Sequence, residues 1–310
     1  MAMLLRPVGA LALAVLFALA PVAGRAQDAT TMRAAALVDQ IAAELKSFHV
    51  ANQSVPREDP QAPAVAERQG RHVAFAAWGL LRQLQAFRRF NGLPVTALPP
   101  VPGGMPDLGT AVPFLELALA QVRELRPVFG EAAPPPRSDA PVGSDADKTA
   151  TDIYGGLMQI GLSIAGFELP PIDLNESAAL IAVLLGQIDR MRAALGHTEK
   201  LPEQNVEAKL IGDVQTQAFM LLRDIRSVVG ADGARVSLPK PYVMPNRRIA
   251  SLQWASVYEL VLTALADAAA MKAGLGVNEP VPPPEPTTGN PPSAVFESLL
   301  MAKAGLTSLK

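Results

Sequence analysis

The chain contains no cysteine, which excludes disulfides, thiolate metal sites, covalently attached haem and a lipidated N-terminal cysteine. Aromatic residues are scarce, at 5%, and no period-2 alternation is long enough to make a strand. Neither sign of charge is in excess. The formal net charge is −2, without the basic surplus of a nucleic-acid binder, so no nucleic-acid partner is expected. No glycine-rich phosphate loop, Gly-x-Ser-x-Gly elbow or Glu-x-x-His pair occurs, so neither a resident cofactor nor a metal is expected. The Ser-x-x-Lys spacing of Ser237 and Lys240 sits among prolines without its companion motifs and counts as chance.

Long apolar runs are also missing. The longest, Val8 to Ala20, is shorter than the ~20 residues that cross a bilayer core, so no stable membrane span is expected once it is removed. It follows Arg6 and ends in small residues through Gly24-Arg25-Ala26, the layout of a secretory leader. Cleavage is expected after Ala26, because the other small-residue site, Ala18-Leu19-Ala20, precedes Pro21. Residues 1–26 would then be a signal peptide and the protein periplasmic or secreted. An exported chain without disulfides has to rely on its apolar core.

Alanine and leucine are abundant, and the prolines collect between periodic segments. This pattern predicts an all-α fold of eight helices, near 30–51, 64–90, 107–130, 149–167, 176–195, 202–229, 246–273 and 292–310. Asn91-Gly92 is the expected C-cap of the second helix. Capping boxes are expected at Thr149 to Asp152 and at Asp173 to Glu176. The clearest stripe is Leu210, Ile211, Val214, Ala218, Leu221, Leu222, Ile225 and Val229.

Leu80-Leu-Arg-Gln-Leu-Gln85 answers Leu221-Leu-Arg-Asp-Ile-Arg226, and Phe114-Leu-Glu-Leu-Ala-Leu119 answers Val257-Tyr-Glu-Leu-Val-Leu262. Further matches, in the same order, pair Gln40-Ile41 with Gln187-Ile188, Leu93-Pro94 with Leu238-Pro239, Met105-Pro-Asp107 with Met244-Pro-Asn246, and Ile153-Tyr154 with Val295-Phe296. The expectation is an internal duplication with two tandem four-helix units, 28–169 and 173–310. The alternative is a short α-solenoid of four αα-hairpins. The uncharged helix Ile153 to Phe167, with Gly155, Gly156, Gly161 and Gly166, is expected to pack between the units with Gly161 tightly packed, since glycine costs ~1 kcal/mol per helix position.

Candidate site residues are few. His49 and His197 sit near helix C-termini, where the dipole favours an imidazolium. Glu116 and Glu259 occupy matched mid-helix positions, each followed by leucine, and a carboxylate on an apolar face can meet a ligand. Arg235, Lys240, Arg247 and Arg248 form an acid-free basic stretch. The last two follow Asn246 in the first turn of an expected helix, where basic residues are unfavourable unless an anion offsets them. The function expected is that of a non-catalytic exported helical-bundle protein binding a partner protein or a small ligand, anionic if the arginine pair forms the site. The alternative is a hydrolase or lyase whose site is assembled from scattered Glu, His and Arg.

Overall fold

In the computed structural model the described residues are 11–54, 67–130, 148–167, 174–204, 206–229, 235–238, 254–284 and 288–310, with side chains from 29 onward and, in the seventh helix, from 257. They form eight α-helices and one 3₁₀ turn, with no strand among the described residues. The helices are α1 (Leu11–Ala51), α2 (Gly70–Phe90), α3 (Leu108–Arg123), α4 (Ala150–Ala165), α5 (Leu174–Ala194), α6 (Ile211–Val229), α7 (Trp254–Gly274) and α8 (Pro292–Thr307), and the 3₁₀ turn is Arg126–Phe129.

Local chemistry sets most of these limits. Thr149 Oγ1 accepts from the Asp152 amide while Asp152 accepts from the Thr149 amide, closing the expected capping box. Asp107 and Thr110 do the same for α3. Gly92 and Gly130, at φ 73 and 67, end α2 and the 3₁₀ turn in the left-handed region. α1 reaches back to Leu11, through the apolar run expected to be a leader, whose Leu and Ala are strong helix formers. α6 starts later than the sequence pattern suggests, at Ile211, because Asp213 turns back to accept from the Leu210 amide at 2.9 Å. Leu210, expected in the stripe, is left exposed. Asp173, expected to cap α5, lies outside the described residues, and Glu176 accepts from Arg82 of α2.

Within the first four helices, α1 and α2 each pack against both α3 and α4; within the second four, α5 and α6 each pack against both α7 and α8. The hairpin partners α1 and α2, α3 and α4, α5 and α6, and α7 and α8 are not among the packed pairs, so the solenoid of four αα-hairpins is set aside. The reason lies in helix direction. Lys148–Asp39 and His49–Ser163 place α4 parallel to α1. Gly70 beside Leu108 and Gln85 bonded to Gln121 place α3 parallel to α2. In the second set, Asn175–Asn290 and Arg192–Ser308 place α8 parallel to α5. Each bundle is therefore parallel throughout, and each connection inside it must return the length of a helix, about 30 Å for α2.

Proline suits such returns, holding the chain extended at ~3.1 Å per residue. The segment 91–107 runs back along α2: Arg88 Nε donates to the Pro94 carbonyl, Gln85 exchanges bonds with Thr96, and Trp78 Nε1 donates to the Pro99 carbonyl. Val101 is buried and pins it. In the second bundle Lys272 donates to the Glu279 carbonyl, and Arg190 to those of Glu279 and Pro280.

The bundles meet through α2 and α7, which run antiparallel: Arg71 and His72 reach Asp267, while Tyr258 OH donates to the Gly79 carbonyl. This corrects the expectation that Ile153 to Phe167 fills the seam. α4 packs on α1 and α2, and it reaches α7 through Tyr154, whose hydroxyl lies 3.4 Å from Glu259. The buried helix is α7, whose alanines 264, 266, 268, 269 and 270 are all covered; a helix apolar on every side is a core helix. The close approach on α4 is at Gly156, where a Cβ would lie 2.6 Å from Val38 of α1, and not at Gly161, whose nearest neighbour is the flexible Gln83 amide at 3.2 Å.

Candidate functional site

The residues singled out from the sequence do not converge. Glu116 is exposed on α3 and pairs with Arg33 of α1 at 2.9 Å, across a shallow groove of about 300 Å³ that includes Leu37, Gln40 and Arg123. Its sequence counterpart Glu259 lies 3.8 Å from Arg68 and accepts from Tyr154 OH. The two acids differ because α7 is covered by α2 whereas the corresponding face of α3 is open. Arg235 is exposed, and Lys240, Asn246, Arg247 and Arg248 lie outside the described residues.

A buried polar cluster does form at the junction of the bundles. Arg71 and His72 stand in the first turn of α2, where cations are unfavourable, and Asp267, fully buried in α7, offsets them. Arg71 Nε donates to Asp267 Oδ1 at 2.8 Å, and His72 Nε2 approaches the same oxygen at 3.2 Å. Because the Gln69 amide donates to His72 Nδ1 at 2.9 Å, the proton of the neutral ring is on Nε2 and points at Asp267. Burial pushes the His72 pKa down to about 4, helped by Arg71 and Arg68 and opposed by Asp267. Burial works to raise the Asp267 pKa, yet His72 and Arg71 hold it below the usual range. With both ring nitrogens engaged and no lining residue of either described pocket among its members, this cluster ties α2 to α7. Sequence reading missed it, although the rule that marked Arg247 and Arg248, basic residues opening a helix, applies equally to Arg71 and His72, and Asp267 is an isolated acid in an alanine run.

The second feature is aromatic. Parallel packing brings the C-terminal ends of α1, α2, α3 and α4 to one end of the first bundle. There Phe48, Phe87, Phe90, Phe129 and Phe167 gather, five of the ten phenylalanines in the chain. Phe129 stacks on Phe48 at 4.7 Å and lies 5.3 Å from Phe167, which is 5.2 Å from Phe87. His49 stacks on Phe167 at 3.8 Å. Its Nε2 faces the Ser163 carbonyl at 3.0 Å, so that nitrogen carries the proton, and Nδ1 accepts from Ser54 Oγ at 2.8 Å. Burial lowers the His49 pKa and outweighs the Ser163 contact, so the ring is neutral here, contrary to the imidazolium expected from the dipole. His197, past the end of α5, is partly exposed and 3.6 Å from Glu199.

A pocket of about 240 Å³ opens at this end between Ala51, Asn52, Phe87, Phe90, Asn91, Val128, Phe129 and Phe167. Phenylalanine rings and the two asparagines share its lining. Phe90 and Val128, which line it, stand 59% and 42% exposed. The pocket's volume is enough for one ring or branched aliphatic group. No cluster of potential metal ligands occurs among the described residues, and no described helix is long and apolar enough to cross a membrane. No family model, curated protein or solved structure matches the chain.

Proposed function

We propose that this is an exported, non-catalytic binding protein that captures an apolar group, from a small ligand or a partner protein, in the phenylalanine pocket of its first bundle. The observation that carries this reading is the gathering of four phenylalanines, Phe87, Phe90, Phe129 and Phe167, with the exposed Val128 around one open pocket in a chain poor in aromatics.

The internal matches support it. If the chain arose by tandem duplication into units 28–169 and 173–310, then at the spacing of the matches the second unit carries Leu195, Val228, Lys272 and Leu309 where the first carries Phe48, Phe87, Phe129 and Phe167. Three aliphatic residues and a lysine bonded to the Glu279 carbonyl occupy those positions, so the ring cluster has no counterpart in the second unit. Export is supported by the leader pattern. It requires a mature chain that begins at Gln27, and intact-mass measurement of the protein recovered from its native compartment checks this.

The binding test is a titration with N-acetylphenylalaninamide, a neutral ring-bearing probe, followed by NMR. Saturable shifts confined to Phe90, Asn91 and Val128, abolished when Ala51→Trp plugs the pocket, are expected. Shifts that never saturate, or that survive the plug, would remove the proposed site.

A further inference from the structure

The lining of the phenylalanine pocket narrows what it can take. Among the described residues no ionisable side chain lines it, so an ionised group carried inside would lose water without gaining a counter-ion. The rings are also committed to one another. His49 and Phe87 stack on Phe167, Phe48 stacks on Phe129, and the centroids of Phe87, Phe129 and Phe167 lie 5.2 to 5.8 Å apart. These stacks take up ring faces, where the quadrupole is negative, and leave ring edges, where it is positive, prominent in the wall. Such a wall disfavours a cation, which seeks faces, and suits a further ring that joins the cluster at the same spacing.

The two asparagines add hydrogen-bonding capacity. Asn91, at the C-cap of α2, donates from its side chain to the Phe87 carbonyl, a helix-ending role. Asn52 has no such role. The end of α1 is closed by backbone bonds from Asn52, Gln53 and Ser54 to the carbonyls of Phe48, Val50 and His49. The Asn52 side chain lines the pocket and has no hydrogen-bond partner among the described residues. An asparagine amide sets an acceptor beside its donors, and its complement is a group that also carries an acceptor and a donor side by side.

Resting on the pocket reading above, we infer that the occupant is a small neutral aromatic molecule whose ring joins Phe87, Phe129 and Phe167 while an amide-like edge, an adjacent donor and acceptor, pairs with Asn52. The pocket of about 240 Å³ admits a single ring system, and the pairing with Asn52 fixes its orientation, so rings supply the contact area and the asparagine the selectivity.

The test compares probes that share one phenyl ring and differ in the head group, namely toluene, benzamide, benzoate and benzylammonium, with adenine as a ring that carries the same edge within itself. Each is titrated into the full chain and followed by NMR at Asn52, Phe90 and Val128. Benzamide or adenine is expected to bind more tightly than toluene by about fivefold or more, the size of one net hydrogen-bond contribution, and the tighter of the two tells whether the edge is attached to the ring or part of it. Benzoate and benzylammonium should bind more weakly than toluene. Asn52→Ala, at an exposed position where an unchanged melting temperature verifies the fold, should bring benzamide and adenine down to toluene. Tightest binding by toluene, benzoate or benzylammonium overturns the inference, as does a preference for benzamide or adenine that survives Asn52→Ala. Toluene separates the two levels. If it saturates in the wild type but not in Ala51→Trp, while benzamide and adenine gain nothing over it, the pocket stands and the amide-bearing ligand falls; if none of the probes binds, both fall.

Discussion

At Asp267 the cost of burying a full charge is offset by Arg71 and by the Nε2 proton of His72. Removing one member of such a set strands the others. Asp267→Asn leaves a buried guanidinium without its counter-ion, and a loss of about 3–5 kcal/mol is expected in urea denaturation at pH 7. His72 gives a distinct signature. Its folded pKa, about 4, lies below the ordinary histidine value of 6.5, so between those pH values the unfolded chain binds the proton and the folded chain does not. Stability must then fall as pH drops through that window, by up to ~1.4 kcal/mol per pH unit and roughly 3 kcal/mol in all. The depressed Asp267 acts in the same direction at still lower pH. His72→Gln, which keeps a donor toward Asp267, should flatten the dependence between pH 4.5 and 6.5, read from urea midpoints; an unchanged slope would place the titrating group elsewhere. Protonation has a structural reason to be resisted, since a proton on Nδ1 would face the Gln69 amide, donor against donor. None of this could be read from His72 alone, because a histidine at a helix start looks ordinary until the antiparallel helix supplies the acid.

Among the helices, periodicity and caps made most limits legible: Thr149 with Asp152, Asp107 with Thr110, and Gly92 behave as their residue types dictate. The partners of the helices were less so. Three glycines in α4 and a fourth at its C-cap correctly signal close approach, but spacing along one helix cannot say which neighbour comes near, and the contact is made by Gly156 against Val38. A pair of substitutions separates the two glycines. Gly156→Ala would push its Cβ against the stiff β-branched Val38 and should cost ~1–3 kcal/mol. Gly161→Ala meets only the end of the flexible Gln83 side chain and gains helix propensity, so it should be neutral or stabilising by up to ~1 kcal/mol. Thermal melts should show a lower midpoint for the first variant alone. Helix direction was equally hidden. The prolines between helices read as stiff links, yet that they carry the chain back along its own bundle follows from bonds such as Trp78 to Pro99 and Lys272 to Glu279, which join residues far from any local pattern. The phenylalanine pocket was missed for the same reason: its rings come from four separate stretches and meet only because every helix of the bundle points the same way.

For the molecule as a whole, parallel bundles raise an electrostatic question that their mutual arrangement answers. Four aligned helices place about half a positive charge each at one end and half a negative charge each at the other, so two such bundles side by side in the same sense would repel end to end. Here α2 and α7 run antiparallel, and opposite ends are neighbours. The contact is also apolar. Phe75, Trp78 and Val101 of the first half belong to the core that contains α5 to α8, and Leu262 fills the space opposite Gly79. Fully burying side chains of this size contributes ~1.5–3 kcal/mol each, so the second half should not reach its full stability alone. Residues 27–169 and 173–310 produced as separate chains are therefore expected to associate one to one, measured by light scattering, and the isolated second half should melt well below the intact protein. If that half is monomeric and melts at the temperature of the whole chain, the aromatic residues it borrows from α2 contribute nothing to its core, and the two bundles are independent domains that merely touch.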